Sequence, residues 1–333
     1  MNPCAKLKSV NEDFVVTEQL GFEPSGEGQH RLLWIEKSGQ NTEWVARQLA
    51  KQAGIPARDV GYSGLKDRNA VTFQWFSVDL AGKPEPNWSD AFSELEEGYV
   101  KILRSESHHR KLRTGTHVSN GFQIILRDVS EQDLVALDER VALAKQGVAN
   151  YFGAQRFGHD GKNIQQAYEM ITGQFKPRKR ALKSILMSAA RAHLFNEMLK
   201  KRFVDLGGLS PRIGDVMQMS GASSVFTVDE LSDDIQQRFS EQDIHVALPL
   251  WGEGDFLATG EMAQWYADFA QAYAPWIEGL KNQRVDMAYR SSRLIPRNLK
   301  AEGYNSYIKV EFDLPRGAYA TVVCEELVSC LKS

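Results

Sequence analysis

Strand-like segments lie near both ends of this chain and a long, mainly helical stretch separates them. The simplest account is a sheet begun in the first half and completed by residues that return after an insertion. Residues 10–18 read as an opening strand, and residues 31–37 as a second in which Leu32, Trp34 and Glu36 alternate with Leu33 and Ile35. A helix starts at Asn41 or Thr42, carries Val45, Leu49 and Ala53 at helical spacing and stops at Gly54. Residues 60–63 are extended, residues 72–78 and 122–127 are strands, and Ser130 with Asp133 opens a helix running to about Asn150. Residues 151–295 are mainly helical, with one long amphipathic candidate at 181–203 whose stripe is Leu182, Leu186, Ala190, Leu194 and Met198. Strand character returns at 306–312 and 318–323. The pattern predicts an α/β fold of α+β type, with one domain from residues 1–146 and 295–333 interrupted by a second at 147–294.

With 333 residues, 42% hydrophobic and 25% charged, the chain has the composition of an ordered protein with a sizeable core. Its three cysteines, Cys4, Cys324 and Cys330, are odd in number and lack a CxxC spacing, which argues against both a disulfide framework and a thiolate zinc site and favours the reducing cytoplasm. The first ten residues lack the apolar core of a signal peptide, and no stretch is apolar for long enough to suggest a membrane span.

The net charge of −3 hides a segregated distribution. Residues 176–202 hold nine Lys or Arg against the single acid Glu197, and His108, His109, Arg110, Lys111 and Arg113 form a second basic run. Six acids collect in residues 229–243. A mildly acidic protein with local basic stripes can bind nucleic acid, because only the face that touches phosphates must be positive; solvated charged faces are the plain alternative.

Several chemistries lack their motifs. The chain has no HExxH, GxxxxGK[ST] or GxSxG, and its seven scattered histidines form no recognised ligand spacing, so no metal site is expected. The segment GYSGLKDRNAVTFQW, residues 61–75, stands apart: Asp67 sits in a glycine-containing loop between two strands, flanked by Lys66 and Arg68. Rigid strands commonly hold catalytic loops in this way, and a turn aspartate is the structural alternative.

This segment resembles the catalytic motif of the tRNA pseudouridine synthase D (TruD) family, in which the aspartate following Gly-x-Lys is the essential residue. The resemblance extends in order through residues 11–14, GFEPSGEGQH at 21–30, residues 110–122, NYFGAQRFG at 150–158 and LPRGAYAT at 314–321. It implies a mixed, mainly antiparallel catalytic sheet of pseudouridine synthase type with an inserted, mainly helical TRUD domain. The implied activity is isomerisation of a tRNA uridine, uridine-13, without a cofactor, membrane or obligate protein partner.

By the same resemblance Asp67 is the catalytic carboxylate, and Phe14, Asn120, Phe122 and Tyr319 contact the uridine. The family commonly has Gly where this chain has Ser119, and Phe where it has Tyr319. Lys8 or Lys66 is expected to pair with the carboxylate, and Arg110, Lys111, Arg113, Lys176, Arg178, Lys179, Arg180 and Lys183 to contact the RNA backbone. Two other classes compete: an RNA-binding protein that keeps the fold without catalysis, and an Asp-dependent hydrolase of a small substrate.

Overall fold

Alternation of apolar and polar residues builds the first half of the chain into strands, as seen in the computed structural model, which describes residues 4–93 and 95–332. In chain order these are β1 (Ala5–Lys6), β2 (Phe14–Gln19), β3 (His30–Ser38), helix α1 (Thr42–Ala53), β4 (Val60–Tyr62), β5 (Val71–Asp79), β6 (Tyr99–His108) and β7 (Ser119–Arg127). Two short helices follow, α2 (Glu131–Val135) and α3 (Leu137–Gln146). The next segment contains β8 (Val148–Ala149), α4 (Lys162–Ile171), α5 (Arg180–Leu206), β9 (Val216–Met219), β10 (Val225–Thr227), α6 (Asp233–Ser240) and β11 (Ile244–Leu250). It continues through α7 (Gly260–Ala272), α8 (Ala274–Asn282), β12 (Ala288–Ser291) and β13 (Arg293–Leu294). The chain ends with β14 (Arg297–Tyr304), β15 (Tyr307–Pro315), α9 (Ala320–Leu327) and β16 (Leu331–Lys332).

These elements form two compact units, Met1–Lys145 with Pro296–Ser333, and Gln146–Ile295. The first unit holds a mixed sheet in the order β14-β15-β7-β2-β5-β3-β6, with β4 on β5 and with β1 against β7 and β16. Its pairings are antiparallel except β2 with β5 and β1 with β16. Helix α1 ends at Gly54, whose φ of 62° suits a residue without Cβ. Its stripe of Val45, Ala46, Leu49 and Ala50 packs with Leu33, Ile35, Phe76 and Val78, which all come from one face of the sheet.

The second unit places Leu186, Ala190, Leu194, Phe195, Met198 and Leu199 of α5 in a core with Val246, Ala247 and Leu248 of β11. At the far end of α5 the buried Arg202 guanidinium donates to both carboxylate oxygens of Asp215, at 2.9 and 2.7 Å, and to the Gly208 and Ser210 carbonyls. A buried charge is tolerated when its hydrogen-bonding capacity is met in this way. The unit is mainly helical, yet it also contains the four-stranded sheet β10-β9-β11-β12, which a 3.6-residue periodicity did not reveal.

Two readings of the sequence need correction, and one strand was not read at all. Residues 318–323 look β-branched and extended, but Ala320–Leu327 is a helix burying Val322, Val323, Cys324 and Leu327, so packing overrides local propensity. Strand β6, which was not foreseen, is an edge strand whose side chains are half-buried or exposed without the alternation that marks a half-buried strand. The odd cysteine count argues against a disulfide, whereas Cys4 and Cys330 are bonded and only Cys324 is free among the described residues. Parallel pairing of β1 with β16, Ala5 opposite Leu331, brings these distant cysteines together; counting cannot anticipate such a contact. A dithiol is expected to lower the melting midpoint of the wild-type chain but not of Cys4→Ser, with a loss of about 2–4 kcal/mol. Thermal melts with and without reductant test this, and a wild-type midpoint unmoved by reductant would remove the bridge as a stabilising element.

Candidate active site

The loop carrying Asp67 is the connection of a hairpin, because β4 and β5 pair with Val60 opposite Val78 and Tyr62 opposite Phe76. Gly61 lets another segment approach: a Cβ there would lie 2.3 Å from the Leu112 carbonyl oxygen. Polar groups from the sheet and α1 hold the loop. The Lys66 amide donates to Thr42 Oγ1 at 2.9 Å, Gln74 Nε2 to the Gly64 carbonyl at 2.6 Å, and Lys37 Nζ to the Asp67 carbonyl at 3.1 Å. Gly39 and Arg68 exchange two further bonds, from the Gly39 amide to the Arg68 carbonyl and from Arg68 Nε to the Gly39 carbonyl.

Strand register defines the surface beneath. Phe312, Phe122, Val16, Thr72 and Lys37 lie in one row across β15, β7, β2, β5 and β3. Leu314, Asn120 and Glu18 form the adjacent row. Register neighbours project from the same face, and the neighbouring rows two residues away share it. Phe122 stacks on Phe312 with centroids 5.4 Å apart and meets the edge of Phe14 at 6.0 Å.

The Asp67 carboxylate, 38% exposed, is ion-paired with Lys8 Nζ. Lys8 has a left-handed φ of 58°, and its ammonium lies 4.2 Å from the centroid of the Phe14 ring. Thus Asp67, Lys8, Phe14, Asn120 and Phe122 belong to one side of a single sheet. Phe14 and Phe122 are buried, as core residues are, and Asn120 Oδ1 is buried without a hydrogen-bond partner. Tyr319 is a buried residue immediately before α9.

Lys66 does not serve Asp67. Its Nζ is bonded to Glu18 at 2.9 Å, with the two side chains only 6% and 0% exposed. Burial raises the Glu18 pKa, and the Lys66 charge opposes that rise. Glu18 also accepts the Trp75 amide at 3.2 Å, so the pair links β2, β5 and the loop. His117 is another buried group whose neighbours include this loop, since a Cβ on Gly64 would meet its Cε1 at 3.2 Å. Burial, and after it Lys66 and Arg316, depress its pKa to about 4.

The proposed backbone contacts fall into two groups. Arg110 and Arg113 are exposed between β6 and β7, while Lys111 is half-buried and donates to the Arg58 carbonyl. Lys176, Arg178 and Lys179 are exposed before α5, and Arg180 and Lys183 are exposed within its first turn. Among the described residues no group of three His, Cys, Asp or Glu side chains could hold a metal ion.

Sequence reasoning missed Glu18, Lys37, Thr42 and Gln74. The signal available for Lys37 was its parity with Leu33 and Ile35, which places a cation on the inward face of β3.

The fold is that of a pseudouridine synthase. A Methanosarcina mazei protein provisionally described as tRNA pseudouridine synthase D (TruD) superposes with a TM-score of 0.77 at 18% identity, covering 99% of this chain and 95% of that one. The family description tRNA pseudouridine synthase D (TruD) matches residues 4–177 and 162–327. The tRNA pseudouridine synthase D of Methylococcus capsulatus is 42% identical over 97% of this chain and 90% of its own length. That of Shewanella oneidensis is 40% identical over 97% and 86%. The chain belongs to the TruD family.

The Glu18–Lys66 pair gives a direct test of the site's scaffold. Glu18→Ala leaves a buried ammonium unpaired and is expected to cost about 3–5 kcal/mol in urea unfolding. Glu18→Leu combined with Lys66→Met should recover most of that loss. A single substitution within about 1 kcal/mol of wild type, the worth of an exposed pair, would show that the pair does not anchor the loop.

Proposed function

We propose that this chain is a cytoplasmic tRNA pseudouridine synthase that isomerises uridine-13 with Asp67 as its catalytic carboxylate. The cytoplasmic placement rests on the tRNA substrate of its family, because the Cys4–Cys330 bond removes the argument from the cysteine count. The observation that carries the reading is the Asp67 loop itself: its backbone is bonded to Lys37, Thr42 and Gln74 while its carboxylate stays accessible and paired with Lys8. A group held this way is preorganised for a substrate approaching the sheet face. Family membership supplies the reaction and the RNA class.

The reaction breaks the N1–C1′ bond of uridine, turns the freed uracil and joins C5 to C1′. The C5 proton is lost and N1 gains one, so atoms and electrons balance without a cofactor. Asp67 would meet the ribose, either as a nucleophile or as the base that removes the 2′ proton. Phe122 and Tyr319 would confine the loose base by stacking, worth about 1–3 kcal/mol per base. The buried, unpartnered Oδ1 of Asn120 is an acceptor suited to the uracil N3–H. A uridine in a folded RNA must first be unstacked, at a cost of a few kcal/mol.

In this reading Met1–Lys145 with Pro296–Ser333 is the catalytic unit and Gln146–Ile295 the TRUD unit. The latter supplies backbone contacts at the start of α5. That helix begins with Lys179 and Arg180 and has no acid in its first turn, the wrong charge for its macrodipole. Stability does not explain such a placement, whereas phosphate binding does.

Asp67→Asn should lower the rate on unmodified tRNA by more than about a thousandfold, the scale expected for an essential nucleophile or base. Product mapping on the transcript reads both the rate and the position, and retained activity would remove Asp67 from this role. Binding should weaken steeply with salt, and neutralising Lys179 or Arg180 should reduce the log–log slope by about 0.7–0.9 for each phosphate that the protein no longer neutralises. A slope unchanged by these substitutions would exclude them as backbone contacts.

A further inference from the structure

We propose that Lys37 is a positioning residue for the Asp67 carboxylate, a fixed cation that holds the backbone of that residue from beneath while Lys8 holds its side chain from the accessible side. This inference rests on the reading of Asp67 as the catalytic group. Lys37 extends from the inward face of β3, in parity with Leu33 and Ile35, and is 0% exposed. Its Nζ donates to the Gln40 carbonyl at 2.9 Å and to the Asp67 carbonyl at 3.1 Å. The first bond closes the turn leading into α1, and the second ties that turn to the hairpin loop. Its register neighbours, Thr72 on β5 and Val100 on β6, carry no charge. The charged groups acting on it are Asp67, which favours the ammonium, and Lys66, which opposes it.

Packing alone does not account for a cation here. A buried charge is expensive, and replacement of buried ionic groups by apolar ones of similar volume is often neutral or stabilising. A methionine would fill most of the volume of Lys37 and remove the buried charge, but it would leave the Gln40 and Asp67 carbonyls without this donor. The lysine instead fixes the main chain of the residue whose side chain must meet the ribose. Misplacement of a reacting group by about 1 Å can cost a hundredfold in rate. Burial draws the Lys37 pKa down to about 8, so the cation is lost within the pH range where a tRNA enzyme can be assayed.

The test compares the wild type with Lys37→Met, Lys37→Arg and Asp67→Asn by single-substrate kinetics on unmodified tRNA, pH profiles and thermal melting. Lys37→Met is expected to lose about a hundredfold in kcat with KM for tRNA changed by no more than about twofold, while it remains folded at the assay temperature. A purely structural lysine would lower stability without giving the wild type an alkaline fall in kcat that Lys37→Arg lacks. Wild-type kcat should fall as pH rises through about 8; Lys37→Arg keeps the charge and should show no such fall, with kcat within about tenfold of wild type at neutral pH. If Lys37→Met does not fold, the presence or absence of that alkaline fall in the wild type and in Lys37→Arg decides the matter. Wild-type kcat in Lys37→Met, a loss confined to KM, or the same alkaline fall in Lys37→Arg would each overturn the inference. Full activity in Asp67→Asn would overturn the reading of Asp67 instead, so the two failures remain distinct.

Discussion

Two buried ammonium groups, Lys37 and Lys66, bracket the Asp67 loop, and the shape of that loop depends on how their charges are satisfied. Each solution is different. Lys66 has a full counter-ion in Glu18, which is itself tied to the Trp75 amide, so this pair fastens the loop to β2 and β5. Lys37 is bonded to two backbone carbonyls and feels the Asp67 charge at longer range. Fixing a loop residue costs about 1–2 kcal/mol of backbone entropy, and the apolar atoms of this short hairpin connection cannot offset that for every residue. Buried polar bonds from rigid strands supply the constraint, and they specify geometry more narrowly than apolar contact does.

The ends of the chain take part in the same arrangement. Strand β1 is held between β7 and β16, with Lys6 opposite Arg127 and Ala5 opposite Leu331, and the Cys4–Cys330 bond closes the pairing. Lys8 comes two residues after that strand, in a left-handed conformation that lysine adopts only when its surroundings impose it. Its ammonium is shared between the Asp67 carboxylate and the face of Phe14. The position of the carboxylate is thus set from above by Lys8 and from below by Lys37 on β3.

What was legible in the sequence follows a physical division. Asp67, Phe14, Asn120 and Phe122 stand out because they lie in motifs that resemble the family's, the last three being on their own plain core or turn residues, and the structure gathers all four on one side of one sheet. Of the two lysines offered as its partner, only Lys8 reaches Asp67; Lys66 adjoins it in sequence but turns to a residue 48 positions away. Sequence adjacency carries no information about which carboxylate a lysine meets. Glu18 and Lys37 were missed because a charged residue within an alternating strand is ordinarily assigned to solvent, whereas both face inward here. The disulfide and helix α9 were missed for a related reason: both are decided by contacts between segments remote in sequence, which local propensity cannot register.

The same remoteness shapes how the site comes into being. Strand β15 pairs along the whole of β7, from Pro315 opposite Ser119 to Tyr307 opposite Arg127, and its Phe312 stacks on Phe122. The first-half strands therefore cannot present the finished face until residues beyond Pro296 have joined them. Until then β7 offers an open edge, and Phe122 lacks the ring against which it rests. Long-range pairing of this kind forms slowly, because the entropy of closing the loop is lost before any contact rewards it. The buried polar network around Asp67 lies on the other side of β7, on β2, β3 and β5, where every bond joins residues of the first 75. The carboxylate loop can therefore be organised locally, while the aromatic surface beside it waits for the end of the chain.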